Sequence, residues 1–413
     1  MRIVYLDQYY NSPSMPGGSR VYEMARRLAG AGHRVDVVTS FRDPTSEKSW
    51  FQTEEAGFTV HWLPVSYHNT MSFRRRLVSF FRFAAAAARK AAGMRADVVF
   101  ATSTPLTICL PGVYAAKRGK VPMVFEVRDL WPEMPIAVGA LRNPVAQWAA
   151  RRLERFAYRN AARVVALSPG MAEGVAATGY PREKIHVIPN SCDLDLFAPN
   201  SEARNRFAAR VPEVGKGPVV LYAGTMGRVN EVTYLVGMAK AMRERNPDVR
   251  FVVFGEGSEE QKTRELAERE GVLGLNYFQY GRIPKEQVVD AFLAADVVTS
   301  LFAPILEMEK NSANKFFDGL AAGKPIVINY GGWQAELLRE TGAGLVLDRD
   351  PEAAARELAA FLADTEKVEK AGQAARKLAE ERFSRDKLAQ ELETVLLTAV
   401  GEREPRKTRK ARK

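Results

Sequence analysis

Lys315 and Asp318 stand three residues apart in a stretch, Ser300 to Ile328, that reads as strand, loop, helix and strand. That spacing puts both side chains on one helix face. The loop ends Asn311-Ser312-Ala313-Asn314, and an amphipathic helix begins near Asn314. Gly323 stops the helix, and Pro325 opens the apolar run Ile326 to Ile328. In such a unit the first N–H groups of the helix point unpaired toward the strand ends, where a diphosphate can accept from them. Ser312, Ala313 and Asn314 are the candidate donors. Lys315, one residue inside, adds a cation, and Asp318, a turn deeper, can accept from sugar or ribose hydroxyls. An ordinary crossover helix with a solvated lysine accounts for the same residues.

Glycines at strand ends repeat the theme. Arg2 to Leu6 is a strand, a loop from Asp7 ends Pro16-Gly17-Gly18, a helix runs Ser19 to Ala29, and His33 to Thr39 is the next strand. Gly17 and Gly18 let backbone approach a ligand ahead of a helix N-terminus, or form a plain tight turn. The pattern is not G-x-G-x-x-G, which weakens a nicotinamide reading. Later, the strand Pro218 to Ala223 ends Gly224-Thr225-Met226-Gly227-Arg228, again suiting phosphate, with a solvated Arg228 as the alternative. The strand Val121 to Glu126 is followed by Arg128, Asp129 and Glu133. Functional groups of open α/β sheets collect beyond the carboxyl ends of strands, so these three are candidates. A buried Arg–Asp pair holding the loop is the competing reading.

The elements that must position these groups form two βα series. The chain has 413 residues with 46% hydrophobic and 26% charged, which suits two or three soluble domains. The expected division is an α/β domain over 1–195, a linker over 196–216, a second α/β domain over 217–382, a helix over 383–400 and a basic tail over 401–413. Cys109 and Cys192 show no metal spacing and suit a reducing cytoplasm, and the four histidines form no cluster. No metal site is expected. The N-terminal MRIVYLDQYY reads as a strand rather than a signal peptide, and no run is long and apolar enough to span a membrane.

The net charge of +11 is local. Arg403 to Lys413 holds seven Lys/Arg and one Glu, and Arg74 to Lys90 holds six Lys/Arg and no acid. In the helix expected over 72–93, Phe73, Leu77, Phe80, Phe81 and Ala84 mark an apolar face beside a basic one. Such a helix suits an anionic membrane surface, as does the tail, or it packs with its arginines solvated.

The Ser300–Ile328 stretch resembles the donor-site segment of retaining family-4 glycosyltransferases, whose signature is two glutamates eight residues apart before A-A-G-K-P. Asp318 stands at the second glutamate and Lys310 at the first. The form N-K-F-F-D-G-L-A-A-G-K-P is similar to a bacterial subgroup that includes the N-acetylfucosamine transferases of O-antigen and capsule assembly. The order of a Gly-Gly loop, a helix and G-H-x-V-x-V-V-T fits the same family, as do R-D-x-W-P at Arg128, V-I-P-N at Val187 and the glycine at Gly255.

The resemblance implies a GT-B architecture, two Rossmann-like domains facing across a cleft, with the last helix returning to the first domain. It implies that Arg128 takes the place of a histidine facing the donor sugar, and that the turn at Arg282 and Ile283 borders the base. It further implies a retaining, metal-independent glycosyltransferase with no cofactor beyond its nucleotide sugar. The transfer would carry an N-acetylated hexosamine or deoxyhexosamine from UDP to a lipid-linked glycan, at the cytoplasmic face of the membrane. A GDP-sugar enzyme of the same fold, a UDP-GlcNAc epimerase and a basic nucleic-acid-binding protein are the alternatives. No nucleic acid is expected, because the positive runs lie outside the motif loops and match no nucleic-acid motif.

Overall fold

The computed structural model describes residues 1–15, 17–67, 71–215 and 217–402. They form two compact units, Met1–Ile188 with the segment from Leu388 onward, and Pro189–Lys387. The second boundary differs from the expected linker. Residues 196–216 are not a bare connector: the helix Ala203–Arg210 lies within the second unit, with Phe207 buried. Arg206 and Arg210 of this helix pair with Asp290 at 2.6 and 2.8 Å. Polar composition suggested a linker, but the polarity belongs to that charge cluster.

The first unit holds an eight-stranded sheet. Its strands are β1 (Arg2–Leu6), β2 (Arg34–Phe41), β3 (Phe51–Glu55), β4 (Phe58–Pro64), β5 (Val98–Thr102), β6 (Met123–Val127), β7 (Arg163–Ala166) and β8 (Ile185–Val187). The order is β3-β4-β2-β1-β5-β6-β7-β8. Runs such as Ile3-Val4-Tyr5-Leu6 and Val98-Val99-Phe100-Ala101 are buried on both faces, as parallel strands require. Only β3 pairs antiparallel, with β4, through the turn at Ala56-Gly57, and it covers the sheet edge.

The final helix Arg385–Gly401 packs Leu388, Leu392, Val395, Leu396 and Ala399 into the core formed with Ile3, Tyr5 and Met24, so from Leu388 the chain returns to this unit as expected. The helix expected over 72–93 spans Phe73–Ala92, but of the expected apolar face only Ala84 is buried among the residues whose side chains are described. Phe83, Ala84, Ala87 and Ala91 face the core, while Phe81 is 53% exposed. Four-residue steps from Phe83 reach Ala87 and Ala91, and Phe81 falls off that line.

The second unit holds a six-stranded parallel sheet: β9 (Val219–Ala223), β10 (Arg250–Phe254), β11 (Tyr277–Tyr280), β12 (Val297–Ser300), β13 (Ile326–Ile328) and β14 (Gly344–Val346), in the order β11-β10-β9-β12-β13-β14. In each sheet the order reverses beside its first parallel strand, between β1 and β5 and between β9 and β12. Ligand sites of open α/β sheets form at such switch points, beyond the carboxyl ends of the strands. No helix among the described residues is long and apolar enough to cross a membrane.

Candidate active site

In the second unit the switch point gathers the residues after β9 and the helix Asn314–Ala321 after β12. That helix buries Phe316, Phe317 and Leu320, and the Phe317 ring stacks edge-on against Phe383 at 5.0 Å. Anchoring this face leaves Lys315 and Asp318 on the other. The Lys315 ammonium donates to the Tyr222 hydroxyl at 3.1 Å and lies 4.4 Å from the centre of the same ring. The hydroxyl in turn donates to the Thr225 carbonyl at 2.6 Å, which fixes the turn after β9. A side chain at Gly224 would begin 3.2 Å from Lys315 Cε, so the lysine lies directly against that glycine.

Lys315 has no acid partner among the described residues, and burial lowers its pKa from 10.5 to about 7. An ammonium held without a counter-ion beside unadorned backbone is a place for an anion. The helix strengthens it: Ala313 caps it without a side-chain hydrogen bond, leaving its first N–H groups to an outside acceptor.

Gly255 completes the floor. Its φ is +153°, and a Cβ there would strike the Gly224 carbonyl oxygen at 1.9 Å, so no other residue lets the ends of β9 and β10 meet. Ser312 is buried and accepts from the Asn190 N–H at 3.1 Å, so its hydroxyl positions the loop rather than facing solvent. Asn314 is exposed at the helix start. Burial raises the Asp318 carboxyl to about 6, against the pull of Arg385 and Lys285. Arg228 is exposed in the 3-10 turn Arg228–Asn230, and Arg282 and Ile283 follow β11.

Two groups here were not singled out from sequence. Tyr222 is one. The other is Glu309, whose carboxylate oxygens lie 3.2 Å from the position a Gly331 Cβ would take, beyond the end of β13. It neighbours Lys310, the residue at the signature's first glutamate position.

In the first unit the switch point gathers Asp7 after β1, Ser103 and Thr104 after β5, and Arg128 and Asp129 after β6. Asp7 is 1% exposed, its Oδ1 lies 4.0 Å from the Arg128 guanidinium, and burial raises its carboxyl to about 6. The Arg128 N–H donates to Ser103 Oγ at 2.9 Å. Thr104 donates to Asp129 at 3.4 Å, and burial raises Asp129 as well. Beneath them Glu126 is fully buried; Arg20 donates to it at 2.8 Å and Thr102 at 2.6 Å. Burial pushes Glu126 up, but Arg20 and Thr102 bring it below the ordinary carboxylate value. Asp7 and Glu126 were readable only as strand ends.

Gly17 and Gly18 are exposed ahead of the helix Arg20–Gly30, whose Ser19 makes no side-chain cap. At Gly17 φ is +121°, and a Cβ would meet Asn11 Nδ2 at 2.7 Å. Glu133 lies apart from Arg128, beside Arg151 at 3.6 Å.

Two Rossmann-like domains, each with polar or glycine-lined strand ends at its switch point, define a GT-B glycosyltransferase. The chain belongs to the family-4/group-1 superfamily of these enzymes: residues 17–191 match the family of glycosyl transferase 4-like domains and residues 203–378 the glycosyl transferases group 1. It is 25% identical over 401 residues, 94% of each chain, to the D-inositol 3-phosphate glycosyltransferase of Xylanimonas cellulosilytica. The fold is similar to that of Anabaena HepE in complex with UDP and glucose, with a TM-score of 0.72, 18% identity, and 96% of this chain and 100% of that one covered. It is equally similar to the sucrose-phosphate synthase of Thermosynechococcus elongatus, with a TM-score of 0.74, 17% identity, and 97% and 99% covered.

Proposed function

We propose that this glycosyltransferase moves a sugar from a UDP-sugar to a hydroxyl of a lipid-linked glycan, with retention of anomeric configuration and without a metal ion. The observation that carries the reading is Lys315, an ammonium without an acid partner among the described residues, set against Gly224 at the second sheet's switch point. It meets the diphosphate together with the N–H groups at Ala313 and Asn314, and Arg228 supplies a second cation. Asp318 accepts from the sugar hydroxyls. The backbone near Arg282 and Ile283 borders the base.

The transfer is a front-face displacement. The bond from the sugar C1 to the diphosphate oxygen breaks as the bond from C1 to the acceptor oxygen forms. The acceptor proton passes to the departing phosphate oxygen, and the positive potential at Lys315 stabilises the charge that develops there. Arg128 keeps its charge at any working pH and serves as a donor, not a base. Asp129 steadies the loop that carries it.

The resemblance to the N-acetylfucosamine transferases supports an N-acetylated hexosamine or deoxyhexosamine. Attachment to the inner face of the membrane is supported by the helix Phe73–Ala92, which carries no acid and exposes Val78 and Phe81. The basic tail 403–413 lies outside the described residues.

A thermal-shift panel of UDP, GDP and dTDP with EDTA present tests the donor. Ligands that bind the folded state raise the melting temperature by mass action. Stabilisation by UDP without metal is the expected result. Preference for GDP redirects the sugar toward mannose or fucose, and no response to any nucleotide overturns the donor site.

A further inference from the structure

At the opposite, amino-terminal edge of the first sheet there is a cavity of about 640 Å³ that the transfer reaction leaves unused. Arg2 and Arg34 open the adjacent strands β1 and β2 in register, so their side chains emerge side by side. Arg89 and Lys90 come from the last turn of the helix Phe73–Ala92, and Arg95 follows it. Five cations from two strands, one helix and the residues after it thus line one cavity, and among the described residues its only lining carboxylate is Asp36.

That carboxylate is already engaged. It accepts from His61 Nε2 at 2.9 Å and lies 3.3 Å from Arg34, and the His61 hydrogen bond holds it below its ordinary value. Arg2 is paired with Asp97 at 2.8 Å. Neither Arg89 nor Arg95 pairs with an acid among the described residues. Cations in a helix's last turn complement its dipole, which accounts for Arg89 and Lys90 alone. It does not account for Arg2, Arg34 and Arg95 converging on them against their mutual repulsion.

We propose that this cavity is a second anion site, and that its ligand carries phosphate groups and is larger than inorganic phosphate: a di- or polyphosphate, free or as a lipid headgroup. Guanidinium forks bind phosphate oxygens in pairs, and several converging arginines suit more than one phosphate. The site is distinct from the switch point, since the five residues of β1 separate Arg2 from Asp7 by about 16 Å at about 3.3 Å per residue.

The test is calorimetric titration of the full chain with inorganic pyrophosphate. The proteins are the wild type, an Arg89→Ala/Arg95→Ala variant and, as the donor-side control, Lys315→Ala. Both arginines are exposed and lie outside the donor site, so the double variant retains its melting temperature and its UDP binding. The expected result is a binding event that Lys315→Ala keeps and the double variant weakens by at least about tenfold, the scale of one lost charge-assisted contact. Equal isotherms for wild type and double variant overturn the site, as does pyrophosphate binding that vanishes entirely in Lys315→Ala.

Co-sedimentation with phosphatidylcholine vesicles, with and without cardiolipin, whose headgroup carries two phosphates, separates the sources of ligand. If the double variant also loses cardiolipin vesicles and pyrophosphate competes with them, the ligand is a headgroup. If only its pyrophosphate binding falls, the ligand is soluble.

Discussion

At the switch point of the six-stranded sheet the Lys315 ammonium faces a phenol and the backbone of a glycine, whereas at that of the eight-stranded sheet Arg20 and Arg128 face carboxylates. Both arrangements place cations beyond the carboxyl ends of parallel strands. In the first the charge is left over, and burial lowers the lysine's pKa to about 7. In the second it is met internally: Arg20 is 4% exposed beside a fully buried Glu126. Lys315, without a counter-ion, is poised for a ligand, and Arg20, with one, holds the fold. Cations at equivalent places therefore do different work.

Glu126→Ala is the severest test of that distinction. It leaves Arg20 buried beside no carboxylate, and breaking a buried pair from one side costs about 3–5 kcal/mol. The melting temperature should drop sharply, and it should drop alike with and without UDP at equal site occupancy. A variant that melts like the wild type would show that the pair is not a structural tie.

Lys315→Ala should behave in the opposite way. The ammonium is desolvated with no acid beside it, so removing it should leave the melting temperature unchanged or raised. Turnover should fall by about 10²–10³, the cost of losing one preorganised group at the site of developing charge. Sugar-transfer assays and thermal melting on the same preparation measure both. Loss of stability together with activity would place Lys315 in the scaffold and erase the contrast between the two sheets.

The contrast also marks what the sequence made legible. Lys315, Asp318 and Gly224 could be read because a helix start and a strand end fix where such residues lie. That Lys315 lies directly against Gly224 rests on β9 and β12 being neighbours, which no local pattern states. Tyr222 went unread because a tyrosine near the end of a buried strand looks like core until its hydroxyl is seen to reach the lysine. Asp7 and Glu126 were hidden for a related reason: an acid at a strand end is common, and its arginine comes from far away in the chain, as Arg20 does for Glu126. The basic helix was legible in extent but not in facing, since its long alanine run made several stripes equally apolar. The hairpin of β3 with β4 was missed because an edge strand such as Phe51–Glu55 carries polar residues on its exposed side.

The finest separation of Lys315 from Asp7 is their response to pH, and here the signs differ. In the folded protein Lys315 has its pKa lowered from 10.5 to about 7, so between those values it is neutral when folded and protonated when unfolded. Unfolding takes up a proton across that window, and the contribution to stability grows as pH rises from about 7 and is lost as pH falls back through it. Asp7 is raised from 3.8 to about 6, so its contribution is full below 3.8 and is lost as pH rises through about 6. Asp7→Asn should weaken the acid-side slope of the melting temperature, to which Asp318 contributes over the same range, and Lys315→Met should weaken the alkaline one. Binding adds the decisive sign. A diphosphate prefers the ammonium, so UDP affinity should weaken as pH climbs above about 7, by up to about tenfold per unit, just where the unliganded protein gains stability. Lys315→Met should make UDP affinity nearly flat over that range, while Asp7→Asn should leave its slope intact. An alkaline slope of UDP affinity that survives in Lys315→Met would assign it to another group and remove the lysine from the diphosphate site.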